Sequence, residues 1–431
     1  MRKKIIIAAI TLIVILIFIS GAFEFPKYAG RMPALLLIFG IELYSFWSFK
    51  SSTTKWGKFV RRFFWIPDIL LLSFFLIARI IPFDLWYGPL RAYFMGLILI
   101  IYLPRLIPVP FLLIKDLFRL IGKAGGHDYP RIQKWMFGNG IKFSLFTFVI
   151  LIYGMLIGVY QFKVYDAQVK ITNLPPSFEG LRIVQISDIH LGSWISKRPL
   201  REAVKEINDL YPDIILFTGD LVNFTSDEAF RFKDELKSLK APLGVYAILG
   251  NHDYGDYLSW PDSIAKQHNM DTLYWFYKQI GWKLMRNEST FIHKGNDSIL
   301  LIGVENWSIK KRFGHKGNMK EAIGNHKNAA VNILLSHDPT HWEAEVSKDY
   351  PTIDLTLSGH THGMQMGLET KWFRFSPAQW MYNYWGGLYK KQNSLGKAQY
   401  LYVNRGLGHI GYPGRIGMNP EITLITLSSK E

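Results

Sequence analysis

Leu181-Arg-Ile-Val-Gln-Ile-Ser-Asp-Ile-His190 is the stretch that decides the fold of this chain. Four apolar or β-prone residues, Ile183–Ile186, run straight into Asp188 and His190, two positions apart. A strand that delivers polar residues at its C-terminal end is how α/β folds build a site. The pattern returns four times downstream. Ile214–Phe217 leads to Gly219-Asp220, and Val245–Leu249 to Gly250-Asn251-His252-Asp253. Val331–Leu335 leads to Ser336-His337, and Leu355–Leu357 to Gly359-His360-Thr361-His362. The carboxylates, carboxamide and imidazoles delivered this way are too many for one tetrahedral ion. They suit two ions that share a bridging carboxylate.

In order, these blocks read D-x-H, G-D, G-N-H-D, H and G-H-x-H, and they resemble the calcineurin-like metallophosphoesterase superfamily. Leu221-Val-Asn223 after G-D, Ser336-His-Asp-Pro339, Gly359–Gly363, Arg405–Gly408, Pro413-Gly-Arg415 and Pro420–Thr423 resemble its membrane-anchored branch. The resemblance runs from Leu181 to Leu427 and implies an α/β domain of two packed sheets flanked by helices. It implies that Asp188, His190 and His362 hold a first ion, that Asp220 bridges, and that Asn251, His337 and His360 hold a second. Gly250 and Gly359 are expected to allow sharp turns at strand ends. His252 is implied to act on phosphate as a general acid, with Asp253 either orienting its other ring nitrogen or making a simple salt bridge. Arg405 and Arg415 are candidate phosphate clamps, with structural ion pairs as the alternative. The cofactor expected is a pair of divalent ions, Mn, Fe or Zn, which this ligand mixture does not choose between. Hydroxide generated there would attack phosphorus in line. His409 stays open, and the histidines outside the motifs, His341 among them, read as surface groups.

Charge is unevenly placed along the 431 residues. Residues 1–160 hold 19 Lys and Arg against 6 Asp and Glu, whereas the remaining 271 hold 31 against 28. The net charge of +16 therefore belongs to the first part of the chain, and the rest offers no basic stripe for a nucleic-acid backbone. Without cysteine there are no disulfides and no thiolate ligands. Five apolar segments, Ile5–Ile19, Met32–Phe49, Phe63–Ile81, Ala92–Ile114 and Phe143–Tyr160, read as membrane spans. Pro104, Arg105, Pro108 and Pro110 interrupt the fourth. Glu42, Asp68, Arg79 and Arg105 lie inside the spans and read as an intramembrane ion pair or headgroup-level charges. Ser20-Gly-Ala22 resembles a signal-cleavage site. Segments 2–4, 50–62 and 115–142 carry 14 Lys and Arg, while 21–31 and 82–91 carry 3. The positive-inside rule then places the N-terminus in the cytoplasm and everything after the fifth span outside it.

This gives a transmembrane helical domain over 1–160, a linker over 161–180 and a phosphoesterase domain over 181–431, with Gln161–Asn173 in the linker reading as a strand from Val164, Val169 and Ile171. Leu200–Leu210 and Asp227–Lys240 have helical spacing between the motif-bearing strands. Tyr254–Trp282 and Lys371–Tyr389 are rich in Trp and Tyr and leave from ligand loops, so they are placed to wall the site or to meet a bilayer. The function expected is hydrolysis of a phosphoester or pyrophosphate in a lipid or small envelope metabolite. The partners expected are that substrate and the bilayer, with no nucleic acid and no protein partner inferred. Two alternatives are the UDP-2,3-diacylglucosamine pyrophosphatase of lipid A synthesis and a transporter or sensor whose metal-binding domain is not catalytic.

Overall fold

The computed structural model describes residues 32–50, 58, 61–71, 73, 86, 88–326, 329–370 and 372–429. They fall into two compact units, one within 1–78 and 100–149, the other within 79–99 and 150–431. Helices α1 (Met32–Lys50), α2 (Gly88–Leu106), α3 (Val109–Gly125) and α4 (Pro130–Leu156) make up the apolar part of the chain. Among the described residues, Gly88–Gly125 and Pro130–Tyr160 are helical stretches long and apolar enough to cross a membrane. The first and third expected spans lie wholly or partly outside the described residues, as does the cleavage-like Ser20–Ala22. The second appears only as a shorter apolar helix, Leu37–Ser48, so two of the expected five remain among the described residues. The break expected in the fourth span is real and falls between α2 and α3 at Ile107-Pro108. The basic segment 115–142 is mostly helix, with Lys115 buried and donating to Ser48 at 2.6 Å.

The intramembrane charges of the first unit compensate one another. Arg105 donates to Asp68 at 2.8 Å and lies 3.4 Å from Glu42, and the Tyr102 hydroxyl also donates to Asp68. A charge in hydrocarbon is costly unless paired, which is reason enough for this cluster. Arg79 lies outside the described residues.

In the second unit the strands are β1 (Lys163–Lys170), β2 (Arg182–Ile186), β3 (Ile214–Phe217), β4 (Val245–Ala247), β5 (Lys283–Leu284), β6 (Glu288–Lys294) and β7 (Asp297–Gly303). They continue as β8 (Asn332–Leu335), β9 (Leu355–Ser358), β10 (Leu368–Glu369), β11 (Arg374–Phe375), β12 (Gly387–Gln392), β13 (Ala398–Val403) and β14 (Glu421–Ser428). One six-stranded sheet has the order β1-β14-β2-β3-β4-β5, the other β12-β13-β9-β8-β7-β6, and both are mixed. β2 to β4 run parallel, as do β7 to β9, so the ligand loops leave from strand C-terminal ends. The strand expected within the linker is β1, and it pairs with β14 along its whole length, Lys163 to Lys170 against Glu421 to Ser428.

Strands buried on both faces read as unbroken apolar runs, and alternate residues of these strands serve different layers. Ile183, Leu216, Ile333, Leu335, Leu355 and Leu357 point between the two sheets. Val184, Ile215 and Phe217 point instead to the layer that holds α5 (Arg198–Asp209) and α6 (Ser263–Ile280). Leu334 and Val403 face a third cluster around Trp342. Cutting fully buried Leu216 to Ala would cost about 2–5 kcal/mol. The expected helix over Asp227–Lys240 is two short helices, Asp227–Phe230 and Lys233–Lys237.

Candidate metal centre

The parallel strands bring the motif residues to one place. Asp188, His190 and His362 form one buried group whose ligand atoms lie within 4.8 Å of one another, and Asp220, His337 and His360 form a second. Asp220 joins them: its Oδ2 is 3.2 Å from His337 Nε2 in its own group and 3.6 Å from His190 Nε2 in the other. Within the first group His362 Nε2 stands 3.2 Å from Asp188 and 3.1 Å from His190 Nε2. In the second, His360 Nδ1 stands 3.3 Å from His337 Nε2. Nitrogen therefore faces nitrogen across buried space, next to carboxylates.

Backbone geometry shows what holding these residues costs. Asp188, His190, Asp220, His360 and His362 all have positive φ, between 50° and 72°. A side chain in this region is strained by roughly 1–3 kcal/mol and persists only where its surroundings fix it. Bonds between loops do so here: Asp188 N–H donates to Gly219 O, His190 N–H to Asp220 O, and Gly359 N–H to His337 O. Gly219, at φ 95°, is the glycine whose freedom a turn requires. Gly250 and Gly359 have no such φ, against the turn role expected of them; a Cβ at Gly250 would collide with Asp220, and one at Gly359 with Ser187 and Asp188. They are small so that loops can close on the carboxylates.

Charge and burial oppose each other throughout. Burial disfavours ionised Asp188, but His362 and His337 outweigh it and hold the carboxyl well below its ordinary range. Burial likewise disfavours a charged His337, yet the carboxylates of Asp220 and Asp188 bring it up to about 10. His190, His252 and His360 are pushed down, chiefly by burial. A cluster that draws positive charge onto one imidazole while emptying the others of it is suited to bound cations. The donor set fits divalent ions on that ground, and also because Asn251 Oδ1 is buried with no hydrogen-bond partner.

His252 comes to the same place but joins neither group. Its backbone N–H donates to Asp220 Oδ1 at 2.8 Å, its Nδ1 lies 2.9 Å from the Asn223 carbonyl, and its ring is 4.9 Å from that of His190. Asp253 does not orient it and makes no salt bridge. Its carboxylate accepts from the N–H groups of Asp220, Leu221, Val222 and Gly250, clasping two ligand loops together. Burial and the Asp220 charge push the Asp253 carboxyl up to about 7.

The two arginines expected as phosphate clamps or structural ion pairs are both buried and partnered within the domain. Arg405 is buried against Glu369 at 2.6 Å and Glu421 at 3.3 Å, and Arg415 donates to the carbonyls of Gly408, Arg405 and Gly406. Arg415 also comes within 3.3 Å of His362 Nδ1, so it supports a ligand from behind. His409 stacks near Trp194, held down to about 3 chiefly by burial and also by Arg415. His341 is buried under Trp307 and bonded to Ser336, so it is no surface group.

Three contacts escaped the motif reading. Tyr257 accepts from Asn251 Nδ2 at 2.7 Å and lies 4.4 Å from the His252 ring, and the Tyr382 hydroxyl is 3.1 Å from His360 Nε2. Both belong to the aromatic stretches expected to wall the site. Asp338, 3.4 Å from His360 Nε2, sits directly after His337, where adjacency was the signal.

Comparison with known proteins follows the same division of the chain. A family model described as calcineurin-like phosphoesterase matches residues 181–364, and one described as probable calcineurin-like phosphoesterase, transmembrane domain, matches 30–159. The UDP-2,3-diacylglucosamine pyrophosphatase LpxG of Chlamydia trachomatis is 31% identical over 282 residues, covering 55% of this chain and 81% of that protein. The transmembrane protein with metallophosphoesterase domain of Danio rerio is 31% identical over 66% of this chain and 61% of its own length. The uncharacterized metallophosphoesterase YkuE of Bacillus subtilis is 29% identical over 64% of this chain and 89% of its own. With its ligand groups inside the matched region, the chain belongs to the calcineurin-like phosphoesterase family, in a form that carries a transmembrane domain. It spans about three fifths of the length of the Danio rerio relative.

Proposed function

We propose that this protein is a membrane-anchored phosphoesterase that holds two divalent ions and hydrolyses a phosphoester or pyrophosphate bond of an envelope lipid or small metabolite. The observation that carries the reading is Asp220 Oδ2, placed between the two ligand groups. Asp188, His190 and His362 would hold one ion, and Asn251, His337 and His360 the other. The ions supply Lewis acidity and a water of lowered pKa. The remaining work falls to the chain. His252, with Nδ1–H committed to the Asn223 carbonyl, has Nε2 left toward the site. It would protonate the leaving oxygen from the imidazolium form, which the negative charge of a bound phosphate would favour, and end as the neutral ring. Asp253 fixes the spacing of the Asp220 and Gly250 loops, and Tyr257 and Tyr382 pack the mouth of the site and orient Asn251 and His360. Turnover of a chromogenic phosphodiester by the purified, metal-loaded protein tests the reading. No turnover with both ions bound would sink it and favour a sensor.

The side of the membrane separates the substrates. The N-terminal end of α2 and the C-terminal end of α4 both pack on the phosphoesterase domain: Arg91 is 3.6 Å from Glu228, and a Cβ at Gly154 would meet Tyr412. Two helical stretches long and apolar enough to cross a membrane, Gly88–Gly125 and Pro130–Tyr160, lie between those ends in sequence, and an even number of crossings would return the chain to the side it left. On that count the domain would share a side with the poorly basic segment 82–91, with one Lys or Arg, and not with 115–142, with six. This supports an extracytoplasmic domain. Likeness to LpxG favours a second reading, a nucleotide-lipid pyrophosphatase, which a cytoplasmic domain would suit. An alkaline phosphatase fusion at Glu431 should be active. An inactive fusion, with a fluorescent green protein fusion at the same point, would favour the pyrophosphatase.

A further inference from the structure

The two aromatic stretches behave differently. In 254–282, Tyr254, Phe276, Tyr277 and Trp282 are buried. In 371–389 Tyr382 and Trp385 are buried too, but Trp372 is 86% exposed, Trp380 74% and Phe373 55%, with Leu368 just before them at 54%, against 49% for Trp275 in the first stretch. They do not form a floppy tip. Phe375 packs against both Phe373 and Trp380, and the β10–β11 hairpin is tied to the ligand loop where Ser376 donates to the Gly363 carbonyl at 2.6 Å. Tyr382 ends the stretch on His360.

The position of this patch says what covers it. Met366 bridges to Ile416 and Gly417, and the segment just before them packs on the membrane helices. The Tyr412 hydroxyl donates to the Leu151 carbonyl of α4, Arg415 N–H donates to the Gly154 carbonyl, and a Cβ at Gly96 of α2 would strike Pro413. Leu151 lies five residues before the end of α4, about 7 Å along its axis. Residues 412–416 thus sit beside the last turns of a helix long and apolar enough to cross a membrane, and Met366, two residues before β10, is bridged to the end of that segment. Tryptophan and phenylalanine at that level belong to the interface, where an apolar ring and a polar rim are both satisfied.

We propose that the hairpin and the turn after it, Leu368–Met381, dock into the headgroup and upper acyl region of the bilayer that α2 and α4 cross, and so present the site around His360 and His362 to phosphate groups at the lipid surface. The proposal rests on the membrane-anchored phosphoesterase reading and deepens it: the substrate class is a phosphorylated lipid taken from the plane of the membrane.

The chain has no cysteine, so Trp372→Cys carries a unique thiol for an environment-sensitive fluorophore. In full-length protein in nanodiscs of phosphatidylethanolamine and phosphatidylglycerol, doxyl-labelled lipid should quench this probe at least twofold more than one at Tyr211→Cys. Tyr211 is 82% exposed and precedes β3, at the strand end away from the site. Iodide should show the opposite order. Trp380→Cys serves if Trp372→Cys does not fold. Equal lipid quenching at Tyr211 and both hairpin positions, with iodide reaching all three, would overturn the docking. Shielding that follows protein concentration in lipid-free detergent would assign the patch to a second copy and overturn it equally. Turnover of a soluble diester, read in the same preparations, reports separately on the phosphoesterase reading.

Discussion

Two sets of buried charge lie side by side in the phosphoesterase domain, and they are built on opposite principles. Around Arg405 and Arg415, cations meet Glu369, Glu421 and a ring of carbonyls, so each charge has its partners, and Arg415 approaches the site at the back of His362. Around Asp220, imidazole faces imidazole, at 3.1 Å for His190 and His362 and at 3.3 Å for His337 and His360, and Asn251 Oδ1 has no partner. A buried polar network that is fully paired is structural; one that leaves lone pairs converging has room for a ligand. The difference locates function more sharply than residue type, because arginines beside a phosphoesterase site look like phosphate clamps until their partners are seen.

The comparison can be broken at its open end first. Asp220→Asn should abolish nearly all diester turnover, beyond the roughly 10–100-fold that losing an outer-shell partner costs. A variant that retained a tenth of wild-type kcat would deny Asp220 its bridging place. Next comes His252→Ala, expected to lower kcat by about 10²–10⁴-fold while the folded state is kept. An unchanged kcat with a raised KM would make His252 a binding group only. At the closed end, Arg405→Met strands fully buried Glu421 and should cost about 3–5 kcal/mol of stability. Chemical denaturation measures this. A raised KM with unaltered stability would restore Arg405 as a clamp.

The smallest effect concerns Asp354, at the start of β9 and far along the strand from the ligands. Burial pushes its carboxyl up to about 6, against the pull of the Asn332 N–H and Lys397. Its folded-state pKa lies above the unfolded value, so the neutral acid favours folding at low pH, and that contribution fades as pH rises through about 6. Between pH 4 and 7 the wild type should therefore lose Tm relative to Asp354→Asn, by an amount corresponding to about 1–2 kcal/mol after screening. Parallel Tm curves would show that the Asp354 charge is compensated.

The ligand groups were legible because each follows an apolar strand, and parallel strands can only deliver their ends to one edge. The arginines were not, because Glu369 and Glu421 are distant in sequence and nothing local announces the pairing. The strand over Gln161–Asn173 was legible from Val164, Val169 and Ile171, but its partner was not, because a strand that links two parts and one that joins a sheet have the same local pattern until β14 supplies the pairing. Helix α6 had its signals in view. Asp262 caps its start by accepting from Ala265 N–H at 2.7 Å, and Gly281 closes it at φ 78°. Aromatic density drew the reading toward the site instead. In the second aromatic stretch Tyr382 does reach His360, while Leu368 of the two-residue strand β10 is left outside any core.

The central claim is that two ions share Asp220, and counting metal tests it directly. Elemental analysis of purified full-length protein, equilibrated with manganese or zinc and freed of excess, should give two ions per chain. His252→Ala should keep both, and His337→Ala should lose one. One ion in the wild type, or equal loss in His252→Ala and His337→Ala, would contradict the account.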